Sequence, residues 1–369
     1  MKINIVASRR FHLLDLAREL KHNGHDVKFY SYVPTKRCVT LGGLEKNDCR
    51  FLWIALPFLI LQIIFKNNPY ITKYLFLSMD LYLRIFMRPC DIYIALGTVY
   101  KKSFITAKKK FGALTILEWG SKHIDEQQRI LKTIPGAQTN MEYFNKRSRE
   151  TYLITDYIAI PAEHVKESFL LYGCPEAKLL VNPYGTSLSQ FYPTDKSSND
   201  AFDVIFVGGW SYRKGCDLLT EVCLYLLKKK LLHVGGVVDC PLPNHPLFTH
   251  IGSVNQPQLL DYYKQAKIFV LPSREEGLAL VQAQALACGL PIVCSKDTGG
   301  RDLRNFLEDK KWIIEMPETT VECLAECIEK ALALAETQPE GKRNYAGKAI
   351  EQLTWEAYGK RYNDNLKNL

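Results

Sequence analysis

The sequence predicts an α/β protein made of two doubly wound parallel-sheet domains that face each other across a cleft. At 369 residues the chain is longer than one ordinary hydrophobic core requires. Apolar strand-like runs alternate with helical periodicity along its length, which is typical of parallel strands joined by crossover helices. A turn at 182–185 and a polar run at 194–200 divide two such series of similar length.

The first series gives an N-terminal domain over residues 1–188. Its predicted strands are 2–7, 26–32, 91–96, 114–117 and 157–160, and its predicted helices are 11–22 and about 162–172. The first helix has apolar Leu14, Leu16 and Leu20, and the second ends before Gly173 and Pro175.

The second series gives a C-terminal domain over residues 189–352. Its predicted strands are 203–207, 232–238, 268–271 and 291–294, and its predicted helices are 278–288, about 321–334 and 346 to the end. In doubly wound sheets ligands bind beyond the carboxyl ends of the strands. The loops after Ala7, Val207 and Leu271 are therefore the expected places for chemistry.

One segment departs from the pattern of an ordinary buried core. Residues 51–65 carry no charge and are interrupted only by Pro57 and Gln62, but a membrane-spanning helix needs about 20 apolar residues. The stretch that follows, up to Arg88, mixes aromatic and basic residues, a composition suited to lipid headgroups. The segment predicts either a helix lying on a membrane surface or a helix packed in the core.

The net charge of +9 is concentrated in the N-terminal half. Residues 1–185 hold 27 Lys and Arg against 16 Asp and Glu, a net charge of +11, and the remainder of the chain carries −2. This asymmetry favours an anionic surface as a partner, with scattered solvated lysines as the alternative. Nucleic acid is not expected, because no recognised reader motif or stacking platform occurs. Eleven irregularly spaced cysteines and no signal peptide indicate a cytoplasmic protein.

The sequence LPSREEGLALVQAQALACGLP at 271–291 contains the strongest candidate site. A strand ends at Leu271 and a helix follows, so backbone N–H groups at the start of that helix favour a phosphate. Glu276 just before them suits a ligand rich in hydroxyl groups. A sugar nucleotide has both properties, whereas the plain alternative is a strand-to-helix turn with solvated carboxylates.

Several motifs together resemble the family 4 (group 1) retaining glycosyltransferases of GT-B fold. They are 271–291, FVGGWSYRKGCDLL at 206–219, and the segments 157–169, 182–185 and 354–362. The resemblance covers most of the chain except about 33–90. It implies a GT-B fold of two Rossmann-like domains, with the helix at about 353–369 packed back on the N-terminal domain.

The resemblance also implies roles for residues around the acidic turn. The family has two glutamates separated by seven residues, and here Glu276 holds the first position while Gln284 holds the second. By analogy Glu276 binds a hydroxyl of the donor sugar, and the amide of Gln284 holds the ribose without a charge. The backbone amides of Gly277, Leu278, Ala279 and Leu280 would meet the distal phosphate and the sugar.

A second family pattern has Gly-Arg followed by Lys-Gly. Lys214 and Gly215 fit its end, so Lys214 is the candidate that neutralises the diphosphate leaving group, while Gly209 stands where the arginine usually lies. Arg213 is a candidate replacement for that arginine. Solvated loop cations are the alternative for both side chains.

In the N-terminal half, family members often have a histidine after the strand that corresponds to 114–117. His123 is the best match, with Glu118 as the rival occupant and a structural histidine as the alternative. The loop after the first strand lacks the family's paired glycines. Arg9 or Arg10 is therefore the candidate for a donor phosphate or an acidic acceptor, unless both face solvent, and His12 is expected to be a packed or capping residue.

The implied activity is transfer of a hexose from a nucleoside diphosphate sugar to a hydroxyl of a glycan or lipid-linked glycan, with retention at the anomeric carbon. No cofactor is expected, and no metal, because no Asp-x-Asp motif occurs. The expected location is the cytoplasm, either free in solution or peripherally at the inner face of the cell membrane. The alternatives are a sugar-nucleotide epimerase and a catalytically silent glycan-binding partner of a glycosyltransferase.

Overall fold

The computed structural model describes residues 1–9, 11–65, 68–97, 100–137, 141–187, 189–193, 201–337 and 351–369. Within them the strands form two separate sheets, and every strand pair is parallel. This arrangement confirms the predicted fold class. The polar run at 194–200 lies outside the described residues.

The N-terminal sheet has seven strands in the order β3-β2-β1-β4-β5-β6-β7. They are β1 (Lys2–Val6), β2 (Asp26–Ser31), β3 (Cys49–Phe51), β4 (Ile92–Leu96), β5 (Leu114–Glu118), β6 (Tyr157–Ile160) and β7 (Leu179–Val181). The helices of this half are α1 (Phe11–His22), α2 (Thr35–Gly42), α3 (Leu56–Ile64), α4 (Pro69–Phe86), α5 (Lys101–Phe111), α6 (Ile124–Thr133), α7 (Glu142–Ile154) and α8 (Glu163–Leu171). Helices cover both faces of the sheet, so its central strands are buried throughout.

The C-terminal sheet has six strands in the order β10-β9-β8-β11-β12-β13. They are β8 (Phe202–Val207), β9 (Leu231–Val234), β10 (Phe248–Ile251), β11 (Ala266–Leu271), β12 (Ile292–Ser295) and β13 (Ile313–Met316). The helices are α9 (Cys216–Thr220), α10 (Leu259–Tyr263), α11 (Leu280–Ala287), α12 (Gly300–Arg304), α13 (Val321–Glu336) and α14 (Trp355–Lys367). In each sheet the direction of the strand order changes next to the first strand of that domain, between β1 and β4 and between β8 and β11. The loops at the carboxyl ends of these strands lie beside that point.

The predicted strands and helices are confirmed. Some begin or end at other residues than predicted, because the local backbone geometry sets their ends. The strand expected over 232–238 stops at Val234, because Gly235 takes a φ of 151° and the chain leaves the sheet. The last helix begins at Trp355, where the side chain of Thr354 accepts a hydrogen bond from the amide of Ala357. The part of its predicted range at 346–350 lies outside the described residues.

Residues 51–65 form neither a long helix nor a fully buried one. The chain leaves β3 at Phe51 and makes α3, a nine-residue helix in which no residue is buried. Phe58 and Leu59 pack against the N-terminal core, while Ile63 and Ile64 are 80% and 62% exposed. None of the helices in the described ranges is long and apolar enough to cross a membrane.

The C-terminal helix crosses back and lies on α1 of the N-terminal domain. A Cβ atom at Gly359 would lie 2.2 Å from Cβ of Glu19, so the two helices approach as closely as a glycine allows. Asn363 and Arg361 add hydrogen bonds to His25 and Asn182 at 2.8 and 3.0 Å. The chain thus crosses between the two domains a second time after β13.

We predict that Gly359→Ala lowers the stability of the protein by about 1–3 kcal/mol, because the added methyl group overpacks the contact between α1 and α14. Helix propensity alone would make the alanine variant more stable than wild type by about 1 kcal/mol. Overpacking and helix propensity therefore predict stability changes of opposite sign. Urea unfolding measures this change. Gly252→Ala is the control, since a Cβ at Gly252 has open space. An unchanged or raised stability of Gly359→Ala would contradict the close contact.

Candidate functional site

Two loops of the C-terminal domain, after β8 and after β11, are fixed to each other. The amide of Arg274 donates to the carbonyl of Arg213 at 2.9 Å, and its guanidinium binds both carboxylate oxygens of Asp217 at 2.6 and 2.7 Å. Gly215 has a φ of 71°, and a Cβ atom there would lie 2.2 Å from the carbonyl oxygen of Pro272. Only glycine permits this approach, which sets the position of Lys214 relative to the acidic turn.

Glu276 lies where the two loops meet, and two cations surround its carboxylate. Lys214 donates a hydrogen bond from Nζ to Oε2, and the guanidinium of Arg213 lies 3.4 Å from the same oxygen. Burial alone would raise the pKa of Glu276, but the charges of Lys214 and Arg213 outweigh burial and lower the pKa to about 2. The carboxylate is therefore ionised at any physiological pH.

Glu275 turns the other way and joins the two domains. Its side chain is fully buried and accepts hydrogen bonds from Ser121 at 2.9 Å and from Gln127 at 3.3 Å, both in the N-terminal domain. Arg213 donates to the carbonyl of Glu275 at 2.7 Å. One arginine thus contacts both members of the acidic pair. No role was predicted for Glu275 from the sequence, although its place beside Glu276 was a usable signal.

The backbone of the acidic turn also touches the N-terminal domain. A Cβ atom at Gly277 would lie 1.9 Å from the carbonyl oxygen of Gly120, so this contact requires glycine. His164, on α8, lies with Nε2 2.9 Å from the carbonyl oxygen of Glu276. Burial lowers the pKa of His164 to about 4, so the ring is neutral at pH 7 and Nε2 carries the proton that it donates.

Two further contacts hold the domains together beside this turn. Lys122 forms an ion pair with Asp297 at 2.8 Å, and the amide of Glu163 donates to Asp302 at 2.9 Å. Burial raises the pKa of Asp302 to about 6. The acidic turn is thus enclosed by the N-terminal domain on several sides.

Two cavities lie in the cleft, one on each side of the contact between Gly120 and Gly277. The smaller, about 460 Å³, is lined by Ser121, Gln127, Leu131, Gly209, Ser211, Arg213, Lys214, Val238, Asp239 and Glu276. The larger, about 620 Å³, is lined by Phe11, His12, Asp15, Arg18, Leu41, Leu96, Gly120, Tyr184, Ser187, Gln190, Gln256, Leu278, Leu280 and Trp355. The smaller cavity is charged, and the larger is mixed polar and apolar.

The structure places most of the C-terminal candidate residues in the cleft, where they divide between the two cavities. Glu276, Lys214, Arg213 and Gly209 line the smaller cavity. A Cβ atom at Gly209 would lie 2.9 Å from Cγ2 of Val238, so Val238 occupies the space into which a longer side chain at 209 would extend. Leu278 and Leu280 line the larger cavity instead, with Ala279 as the N-cap of α11.

His123 is not brought to this group. It is the N-cap of α6, where Nδ1 accepts from the amide of Asp125 at 3.3 Å, and its ring stacks on Tyr172 with centroids 4.7 Å apart. Burial lowers the pKa of His123 to about 4. It lines a separate cavity of about 430 Å³ with Arg149 and Lys178. Its role at the donor sugar stays a prediction that this placement does not favour.

Gln284 and Arg9 are also away from the charged group. Gln284 is only 5% exposed, and its Oε1 accepts from the hydroxyl of Tyr263 at 3.4 Å, so a ribose would have to compete with that contact. Arg9 is exposed and donates from Nε to the hydroxyl of Tyr32 at 3.1 Å. Both roles stay predictions, and Arg10 lies outside the described residues.

A buried pair that the sequence did not connect lies at the larger cavity. Glu118 is the last residue of β5 and His12 lies in the first turn of α1, and Nε2 of His12 is 3.0 Å from Oε2 of Glu118. The His12 ring packs on Tyr184, with centroids 4.2 Å apart. Both residues follow strands that are central in the N-terminal sheet, which is the positional signal that links them. His12 is packed as expected, and it also lines the cavity.

Within the described ranges, no group of three or more His, Cys, Asp and Glu side chains is arranged to hold a metal ion. The positive groups beside Glu276 are instead the side chains of Lys214 and Arg213.

Comparison with known sequences assigns residues 201–333 to the family described as "Glycosyl transferases group 1". The chain is 27% identical over 228 residues to a D-inositol 3-phosphate glycosyltransferase of Geodermatophilus obscurus, covering 54% of this chain and 49% of the relative. It is 31% identical over 168 residues to D-inositol 3-phosphate glycosyltransferase 1 of Catenulispora acidiphila, covering 37% and 40%. The chain thus spans about half the length, or less, of these curated relatives.

Solved structures match the whole chain. A sucrose-phosphate synthase of Thermosynechococcus elongatus superposes with a TM-score of 0.74 at 16% identity, covering 100% of this chain and 98% of its own. The Anabaena protein HepE in complex with UDP and glucose superposes with a TM-score of 0.65 at 14% identity, covering 100% of both chains. At these identities the likeness shows that the fold is shared.

We predict that Lys214→Met destabilises the protein at about pH 7 and that the difference from wild type shrinks in acid. The pKa of Glu276 is lowered from 4.5 to about 2, so its charge interactions stabilise the folded state fully above about pH 5 and are lost as the pH falls toward 2. Urea unfolding at several pH values measures this difference. A difference in unfolding free energy between Lys214→Met and wild type that does not change with pH would contradict the charge interaction.

Proposed function

We propose that this chain, whose residues 201–333 are a group 1 glycosyltransferase domain within a GT-B fold, is a retaining glycosyltransferase. In this proposal it moves a hexose from a nucleoside diphosphate sugar to a hydroxyl of a glycan or lipid-linked glycan, in the synthesis of a cell-surface polysaccharide or glycoconjugate. One observation carries the proposal: Lys214, Arg213 and Glu276 converge on one charged cavity between the domains.

The chemistry of that cavity suits a sugar diphosphate. An ionised carboxylate accepts hydrogen bonds from sugar hydroxyls, and fixed cations neutralise a phosphate. The hydrogen bond to Glu276 holds Lys214 at this cavity, so its charge lies where a diphosphate would enter. The related fold of HepE, described in complex with UDP-glucose, supports the same class of donor.

The proposed reaction breaks the bond between the anomeric carbon and the phosphate oxygen and forms a bond from that carbon to the acceptor oxygen. The departing phosphate oxygen takes the acceptor proton on the same face, so the configuration is retained without a protein nucleophile. Negative charge grows on the diphosphate as the bond breaks, and Lys214 and Arg213 stabilise it most in the transition state. Glu276 orients the sugar through a hydroxyl group.

Donor binding requires a change in how the domains meet. Glu276 and Lys214 line the smaller cavity, whereas Leu278 and Leu280, near the start of α11, line the larger one. The contact between Gly120 and Gly277 lies between them. We propose that this contact opens so that the diphosphate spans both cavities, with the sugar beside Glu276.

A second acceptor class is a sugar or polyol phosphate. The curated relatives are named for D-inositol 3-phosphate, and the fold neighbour for sucrose phosphate. Arg18 and His12 line the larger cavity and carry nitrogen donors that suit a phosphate, although Arg18 also pairs with Asp15 and Glu19. Assays with a lipid-linked glycan and with inositol 3-phosphate, each with one donor, separate the two classes.

We propose that the enzyme acts in the cytoplasm and needs no cofactor and no divalent metal, since Lys214 and Arg213 supply the positive charge that a metal ion would otherwise bring. Transfer should then continue at full rate in the presence of a chelator. Loss of activity with EDTA and its return with Mn²⁺ would contradict metal independence.

We predict that Glu276→Gln and Lys214→Met each lower kcat about 100-fold or more, because each removes an interaction with developing or reacting charge. Release of the nucleoside diphosphate in the presence of acceptor measures the rate. Glu221→Gln, at an exposed position of the same domain, is the control and should match wild type.

The same assay decides between the rival activities. Release of the diphosphate without any acceptor and with an isomerised sugar would favour an epimerase. Wild-type transfer by Glu276→Gln would show that this cavity is not the catalytic site, and no transfer by the wild type with any donor would favour a silent glycan-binding partner. Thermal shifts with UDP, GDP, CDP and ADP sugars identify the donor, because a ligand of the folded state raises its melting temperature.

A further inference from the structure

Helices α3 and α4 present an apolar surface to solvent on the N-terminal domain. On α3, Ile60, Ile63 and Ile64 are 57%, 80% and 62% exposed, and on α4, Tyr74, Leu81 and Ile85 are 54%, 43% and 58% exposed. These six residues define the α3–α4 surface. Soluble monomers rarely expose a contiguous apolar patch of this kind unless it binds something.

The outward position of these residues follows from helical spacing. On α4 the exposed residues lie at intervals of seven and four, while Leu75, Met79 and Leu83 on the opposite side are buried. On α3, Phe58 and Leu59 face the core, and Gln62 donates to Thr72 of α4 at 2.8 Å. The two helices are thus held together with their apolar sides turned outward.

The outward-facing charges of α3 and α4 themselves have one sign. Between residues 51 and 90 the sequence holds a single carboxylate, Asp80, and it points inward, where it pairs with Arg147 at 3.1 Å and accepts from the amide of Ser103 at 2.9 Å. Arg84 is exposed beside Ile85. Residues 1–185 carry a net charge of +11. The outward side of α3 and α4 is therefore apolar and cationic.

We propose that the α3–α4 surface docks on an anionic lipid bilayer, with Ile60, Ile63 and Ile64 inserted among the lipid chains and Arg84 at the headgroups. At nine residues α3 is only about 14 Å long, which suits a helix lying in the interface and not one that crosses it. Aromatic side chains mark the edge of this surface: Trp53 is 56% and Tyr70 is 63% exposed. Such amphipathic rings favour the headgroup level.

A second copy of the chain fits this surface less well. A two-fold interface would bring the cationic surface of one copy against that of the other, and no carboxylate of 51–90 points outward to compensate. An anionic bilayer supplies both the apolar phase and the opposite charge.

Docking on a bilayer would hold the cleft near a lipid-linked acceptor, and in that respect the inference rests on the proposed function and deepens it. The binding itself requires neither donor nor transfer. Bilayer docking and sugar transfer can therefore fail separately, with vesicle binding measured without donor and transfer measured on a soluble acceptor.

The test is flotation of the full chain with vesicles of phosphatidylcholine containing about 30 mol% phosphatidylglycerol. We expect wild-type binding that falls in high salt and on pure phosphatidylcholine, and at least a tenfold lower partition coefficient for the double variant Ile63→Glu, Ile64→Glu. Leu153→Glu, at an 82% exposed position on α7, is the matched control and should bind as wild type does. Ile63→Ser, Ile64→Ser gives the same test without added charge.

Both double variants should keep the wild-type melting temperature and transfer to a soluble acceptor. Equal vesicle binding by wild type and Ile63→Glu, Ile64→Glu would overturn the proposal, as would wild-type protein that does not float with anionic vesicles. A wild-type dimer that becomes a monomer in Ile63→Glu, Ile64→Glu, without vesicle binding, would assign the surface to self-association instead.

Discussion

The arrangement of the cleft depends on the hydrogen-bonding and charged partners of two adjacent carboxylates. Glu275 and Glu276 occupy a turn that is largely buried between the domains, and carboxylates are costly to bury without partners. Arg213 contacts both, Lys214 binds Glu276, and Ser121 binds Glu275 from the opposite domain. The groups that make burial of this turn possible are the same groups that give the cavity its charge.

The need for these partners explains why the loops must approach so closely. Lys214 reaches Glu276 because the backbone at Gly215 lies against Pro272, and the N-terminal domain reaches the turn because Gly277 lies against Gly120. The second contact also divides the cleft into a charged and a mixed cavity. An entering diphosphate would compete with Glu276 for Lys214, and Glu276 lies on the same turn that contacts the N-terminal domain through Glu275 and Gly277.

The fold was predictable because alternating apolar runs and helical periodicity are local properties. Four short strands of three or four residues were not predicted: β3, β7, β10 and β13. They form by pairing with neighbouring strands that the sequence pattern does not identify. Glu276, Lys214 and Arg213 were predicted as site residues because each lies in a motif beside a strand end, and the structure places the three side chains together. The contacts of Glu275, the pair of His12 with Glu118, and the stacking of His123 depend on residues far apart in sequence, and no spacing rule reveals them.

Lys214 pairs with Glu276, and we propose that it exchanges this partner for the diphosphate of a sugar nucleotide. A crystal structure with an intact nucleoside diphosphate sugar tests this exchange most directly, through two distances. We expect Nζ of Lys214 to lie within hydrogen-bonding distance of the distal phosphate and a carboxylate oxygen of Glu276 within that distance of a sugar hydroxyl. A nucleotide sugar bound elsewhere, with Lys214 still paired to Glu276, would contradict the account.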